Sequence, residues 1–158
     1  MAHETLITAD PSVPAIRVVR EFDAPVDALF NAHADPAIFG NWIGPDRLTN
    51  RIDVWDFRTG GAWRFHQDDS DGNSYEFFGN FHEVRPDELI VQTFTFVGFP
   101  DGVALEKLHF IAVADGRSRL ETMSLTDSFE DRDGMLASGM ESGIVEGYRK
   151  LDSLLTDG

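Results

Sequence analysis

The chain has 158 residues, no cysteine, and 28 acidic against 13 basic side chains, giving a formal net charge of −15. That length suits one domain with a substantial core, and the missing cysteines exclude disulfides, thiolate metal sites and cysteine nucleophiles. So acidic a surface repels phosphate backbones and anionic lipid, which argues against nucleic acid and membrane as partners. A basic protein partner or salt adaptation would each account for the charge, but solubility is the simplest reading. The start, M-A-H-E-T-L-I-T-A-D-P, has neither the basic opening nor the apolar run of a secretory leader. No stretch approaches the roughly 18 apolar residues of a membrane span. A cytoplasmic location is expected.

Residues 1–14 are polar, contain Pro11 and Pro14, and read as a loose tail before a single domain over 15–158. Ile16, Val18, Arg20 and Phe22 alternate with Arg17, Val19 and Glu21, the period of a strand. Asp23 or Ala24 then caps a short helix whose first turn holds Pro25 and whose apolar side is Val26, Leu29 and Phe30. Asp35-Pro36 starts a second short helix, and Gly44-Pro45-Asp46 breaks the chain after Trp42-Ile43. Strands are expected over 51–57, 62–67, 75–84, 88–97, 105–113 and 119–126, with Gly-, Pro- and Asp-rich turns between them. Connections this short leave no room for crossover helices, so the strands form an antiparallel meander.

Asp127 or Ser128 can cap a helix after the last strand. From Gly134 to Leu155, Leu136, Met140, Ile144 and Tyr148 recur every four residues beside a row containing Gly139, Gly143 and Gly147. This predicts one amphipathic helix of about 22 residues, roughly 33 Å long. Glycines inside a helix cost about 1 kcal/mol each relative to alanine. Either another backbone approaches closely, or space is left for a ligand. The simplest assembly is an α+β fold in which a seven-stranded curved antiparallel sheet wraps the last helix, the short helices close one end, and the glycine row keeps a cavity open.

The sequence also resembles a known family. F-D-A-P at 22–25, D-P at 35–36, W-I-G-P at 42–45, G-G-A-W-R at 60–64, G-x-F-x-E-V at 79–84 and G-M-E-S-G at 139–143 stand in the order found in prokaryotic homologues of the activator of the heat-shock-protein ATPase. Those proteins belong to the START-like (SRPBCC) superfamily, with the polyketide cyclases and the birch-pollen allergen. The resemblance spans Ile16 to Leu155 and implies the helix-grip fold. That fold hosts lipid carriers, cyclases, hydrolases and co-chaperones. Two aromatics usual in the family are replaced, since Ile144 follows Gly143 and Ile43 follows Trp42. Both changes would reshape a cavity.

G-x-S-x-G, P-loop, G-x-G-x-x-G and H-E-x-x-H motifs are all missing. The acidic turn Asp68–Asn73 fails the EF-hand pattern and reads as a solvated turn. His66, His82 and His109 fall on three strands, but parity sets His66 opposite Trp63 and Phe65, and His109 opposite Leu108 and Phe110. Surface histidines are expected there, not a zinc site. No metal or cofactor is expected. Candidate cavity residues are Trp42, Trp63, Phe77, Phe81, Phe94, Phe96, Met140, Gly143, Ile144 and Tyr148, an apolar wall of the kind small-molecule pockets use. Arg20 and Glu106 share parity with apolar neighbours. Each is either a polar anchor for a ligand or, on the plainer reading, a strand-end residue reaching solvent.

The expected function is sequestration of a hydrophobic or amphipathic small molecule, without chemistry. The alternatives are a co-chaperone-like regulator of a heat-shock ATPase, and a cyclase or hydrolase acting within the cavity. A monomer and a homodimer both fit the sequence.

Overall fold

The structure is a computed structural model that describes residues 3–157. Its elements are β1 (Leu6–Ala9), β2 (Ala15–Phe22), α1 (Val26–Ala34), α2 (Pro36–Phe39), β3 (Thr49–Trp55), β4 (Ala62–Asp68), β5 (Ser74–Arg85), β6 (Leu89–Phe96), β7 (Ala104–Ala112), β8 (Ser118–Leu125), α3 (Phe129–Ala137) and α4 (Met140–Asp157). The strands form one sheet in the order β1-β2-β8-β7-β6-β5-β4-β3, with every neighbouring pair antiparallel. Ladder irregularities at Ile52/Val54 and Phe81/Glu83 add local bend and twist to the β3 and β5 side.

The sheet has eight strands, not the expected seven. Leu6–Ala9, placed in a loose tail by the sequence, pairs with β2 from Leu6↔Val19 to Ala9↔Ile16. The strand is only four residues long and mostly exposed, so it carries no alternating pattern to detect. Its end is held by Asp10, whose Oδ1 accepts from the Ser12 and Val13 amides, while Arg132 Nη1 donates to the carbonyls of Asp10 and Ala15.

The first helix starts one residue later than expected, with Pro25 at its cap position and no side-chain capping bond. The second short helix starts at Pro36 as expected, with Asp35 as its cap, whose Oδ1 accepts from the Ala37 amide at 2.9 Å. The expected single helix over 134–155 is two helices. Gly139, at φ 90°, adopts the left-handed conformation that closes α3 and lets α4 leave in a new direction. α3 itself begins further upstream, where Ser128 Oγ accepts from the Asp131 amide.

The glycine row also has a different purpose from the one expected. A Cβ on Gly147 would lie 2.9 Å from the Trp42 carbonyl oxygen and 3.3 Å from the Gly44 nitrogen. On Gly143 it would meet Pro45 Cδ at 3.4 Å. Gly147 therefore admits the 42–46 loop against α4, and Gly143 and Gly147 face that loop instead of holding a ligand space open. Polar contacts fix that loop. Lys150 Nζ donates to the Gly44 carbonyl at 3.0 Å, the Asp46 amide donates to Glu146 Oε1 at 2.7 Å, Arg149 pairs with Asp46, and Asn50 Nδ2 donates to the carbonyls of Gly40 and Ile43.

The core lies between the inner face of the sheet and the helices. Ile16, Phe22, Leu29, Trp42, Phe81, Ile90, Leu120 and Leu151 are its most deeply buried large side chains. Tyr148 meets Phe22 edge-on at 5.5 Å and joins α4 to β2.

Candidate ligand site on the inner face of the sheet

Register places a polar row across an otherwise apolar face. Ile16 pairs with Ser124, Ser124 with Glu106, Glu106 with Gln92, and Gln92 with Phe81. Glu106 accepts from both flanks, from Gln92 Nε2 at 2.9 Å and from Ser124 Oγ at 2.7 Å. Burial pushes its carboxyl above the ordinary glutamate value, and the bonds from Ser124 and Gln92 act the other way. No cation is paired with Glu106 among the described residues. Tyr148, on α4, faces this region. Burial and then the Glu106 charge push its phenol up, while Arg20 acts in the opposite sense.

The second polar element is Trp63 on β4, which is 3% exposed. Its indole Nε1–H is buried with no hydrogen-bond partner. It pairs with Gly79, where a Cβ would collide with the indole Cζ2 at 2.8 Å and with the Thr93 carbonyl oxygen at 2.0 Å. Gly79 thus allows the indole to lie flat over β5. An unpaired buried N–H forfeits about 1–3 kcal/mol, and such groups are rare enough in folded proteins that each calls for an explanation.

An aromatic shelf runs beside these groups. Trp63 stacks on Phe65 at 5.5 Å, Phe65 lies 5.4 Å from Phe77, and Phe77 lies 5.4 Å from both Phe94 and Phe96. Phe77, Phe94, Leu108, Gln92 and Glu106 all keep some accessible surface although they point inward, as do Met140 and Ile144 on α4. Phe65, Phe81, Ile90, Phe110 and Leu120 around them are fully buried. The accessible inner surface therefore lies towards the α3–α4 junction, bordered by the exposed tip of the β6–β7 hairpin with Phe96, Val97, Phe99 and Val103.

The candidate residues read from the sequence thus fall into distinct groups. Glu106, Trp63, Phe77, Phe94, Met140 and Ile144 line the inner face, and Phe96 stands at its rim. Phe81 is packed core. Trp42 is core as well, with Nε1 donating to the Ala32 carbonyl at 2.9 Å. Gly143 faces Pro45. Arg20 does not reach solvent. At 3% exposure it sits over the Phe22 ring and donates Nη1 and Nη2 to the two carboxylate oxygens of Asp152, at 2.7 and 2.6 Å. It clamps α4 to the sheet. His82 and His109 are exposed, His66 is directed to Asp53 and Glu76, and no metal-binding cluster is found among the described residues. Asp69 closes the acidic turn on its own backbone, accepting from the Asp71 and Asn73 amides.

Sequence reasoning passed over Gln92 and Ser124, whose inward parity with Ile90 and Thr122 was an available signal. It also passed over buried His33, whose Nδ1 meets the Leu29 carbonyl at 2.9 Å while its ring packs on Trp42 and Phe110. A shallow surface crevice of about 230 Å³ lies at the β1–β2 edge, near His3, Glu4 and Leu6. It is open to solvent and two strands away from Glu106. Among the described residues no helix is long and apolar enough to cross a membrane.

A curved antiparallel sheet folded about a C-terminal helix, with a pair of short helices following the first long strand, defines a START-like protein. Within that class the chain belongs to the family described as Activator of Hsp90 ATPase homolog 1-like protein, whose sequence model matches residues 23–156. A solved structure from Rhodobacter sphaeroides is 22% identical, covers 98% of this chain and 100% of its own, and superposes with a TM-score of 0.89. One from Mycobacterium smegmatis is 22% identical, covers 96% of this chain and 97% of its own, and gives 0.85. The AHSA1 protein from Silicibacter pomeroyi is 22% identical, covers 90% of this chain and 97% of its own, and gives 0.73. At that identity the likeness is one of fold. No curated protein matches the sequence.

Proposed function

We propose that this protein binds a small amphipathic molecule between α4 and the inner face of the sheet, without transforming it. The observation that carries this reading is the unpartnered indole N–H of Trp63, buried beside an aromatic shelf that also holds the Gln92–Glu106–Ser124 row. A bound polar atom would complete the indole hydrogen bond, and the shelf would take the apolar body. The test is a titration of ¹⁵N-labelled protein with a library of neutral aromatic and lipid-like compounds. A saturable shift of the Trp63 indole resonance, with a rise in Tm, is expected for at least one class. A library that moves neither would refute the reading.

A second reading, regulation of a heat-shock ATPase, draws on the family description and on the exposed apolar hairpin tip, where Phe99 is 57% exposed. ATP turnover by the host chaperone should then change when this protein is added. Unchanged turnover would exclude it.

A further inference from the structure

The charges around the inner face constrain what the ligand can be. Among the described residues the one cation on that face is Arg20, and Asp152 engages both of its terminal nitrogens. The buried cation of α3, Arg132, is held by the Asp10 and Ala15 carbonyls and by Asp133. Lys107 is exposed, on the parity opposite to Glu106, and Lys150 donates to Gly44. An anionic ligand would therefore meet Glu106 with no cation free to neutralise it, a juxtaposition that low local dielectric makes costly.

The polar atoms with unused hydrogen-bonding capacity define the opposite preference. Glu106 keeps acceptor capacity beyond its two bonds, and Gln92 donates its amide N–H to Glu106, leaving its carbonyl oxygen as an acceptor. Trp63 Nε1–H is a donor without an acceptor. The acceptor end and the donor end lie on β7/β6 and β4. At about 4.8 Å per strand, β7 and β4 are roughly 14 Å apart along a flat sheet, and curvature with inward-reaching side chains shortens the span. Between them Gly79 stands opposite Trp63 on β5, and on β6 the ring of Phe94, two residues from Gln92, lies 5.5 Å from the Trp63 indole.

We infer that the ligand is a flat, uncharged or cationic ring compound of about two fused rings. It would donate a hydrogen bond to the Glu106–Gln92 end and accept one from Trp63, and carboxylated molecules, fatty acids included, would be rejected. This rests on the binding reading above.

Three probes with one core test it: naphthalene, 2,6-dihydroxynaphthalene and naphthalene-2,6-dicarboxylate, titrated at neutral pH by the Trp63 indole resonance and by calorimetry. The diol should bind at least about tenfold more tightly than the dicarboxylate and than naphthalene, the scale of one charge-assisted hydrogen bond. Glu106→Gln should narrow the diol-to-dicarboxylate ratio by about tenfold. Trp63→Phe should weaken the diol by several-fold while leaving naphthalene nearly unchanged. If the dicarboxylate equals or exceeds the diol in the unmutated protein, the inference is wrong although ligand binding itself stands. If none of the three binds, the inference falls, while the binding reading is decided separately by the library titration. The wild-type series needs no variant to fold, so it decides the matter alone. An unaltered ratio in a folded Glu106→Gln protein would also overturn the inference.

Discussion

Two glycines one turn apart on α4 should respond in opposite ways to the same substitution. In a helix interior, replacing glycine by alanine gains about 1 kcal/mol of backbone propensity. At Gly143 the added methyl meets Pro45 Cδ at 3.4 Å and Pro45 N at 3.8 Å, which is ordinary contact. Gly143→Ala should therefore stabilise the protein by up to about 1 kcal/mol. At Gly147 the methyl would sit 2.9 Å from a backbone oxygen and 3.3 Å from a backbone nitrogen. Helix and loop must separate by about 0.4 Å to restore normal contact, and overpacking of this kind costs about 1–3 kcal/mol. The loop cannot yield freely, because Lys150, Glu146, Arg149 and Asn50 all hold it. Set against the propensity gain, Gly147→Ala should destabilise by about 1 kcal/mol net. Urea unfolding of both variants reads this as shifts of Cm in opposite directions at constant m. Equal shifts would mean that the 42–46 loop does not rest on α4, and the account of the glycine row would fail.

Buried charge sets the remaining expectations. Asp152→Ala leaves the Arg20 guanidinium enclosed without a counter-charge and should destabilise by about 3 kcal/mol, whereas Arg20→Met leaves Asp152 at a site its side chain can hydrate and should cost less. Urea midpoints for the single and double variants give the coupling, and a coupling near zero would remove the clamp. His33 provides a pH signature, since burial lowers its pKa from 6.5 to about 4. The unfolded chain binds this proton as pH falls through 6.5 and the folded protein only near 4, so stability declines across that window, by about 2–3 kcal/mol at its lower end. Glu106 opposes this. Its raised folded value relieves an unfavourable charge on acidification towards 4.5. His33→Phe should flatten the fall in Tm between pH 6.5 and 4.5, and Glu106→Gln should steepen it. An unchanged profile in both would show that neither group titrates differently on folding.

The order of elements was legible because most of them have a face. The alternation of Ile16, Val18, Arg20 and Phe22, and the glycine and proline turns between later strands, arise from one-sided burial and positive-φ geometry that leave marks in any sequence. Parity put Arg20 and Glu106 on the same side as apolar neighbours, yet the plainer reading sent both to solvent, whereas Arg20 is buried and Glu106 is bonded to Gln92 and Ser124. Their partners were not legible. That Glu106 lies between Gln92 and Ser124 depends on the registers of β6, β7 and β8, which are set by the whole sheet. Arg20 finds Asp152 only because α4 crosses β2 at that height. β1 escaped notice because four mostly exposed residues carry no periodicity. The division at Gly139 was hidden because a glycine at a helix end and a glycine inside a helix look alike in sequence, and only φ separates them.

The correction to the glycine row changes how the site is built. If glycines had held a cavity open, the open part would lie along the middle of α4. Instead that stretch is the tightest contact in the helix, with Gly147 against the Trp42–Gly44 backbone, and Leu151 and the Arg20–Asp152 pair continuing the clamp towards the C-terminus. What stays accessible lies at the other end, where α4 begins after the Gly139 turn and Met140 and Ile144 are only partly covered. A rigid anchor at one end of a helix and incomplete coverage at the other is how one packed layer can hold a fold and still receive a ligand. The one buried polar side-chain atom left without a partner among the described residues, Trp63 Nε1, belongs to the inner face of the sheet, as does the hydrogen-bonded Glu106–Gln92 pair.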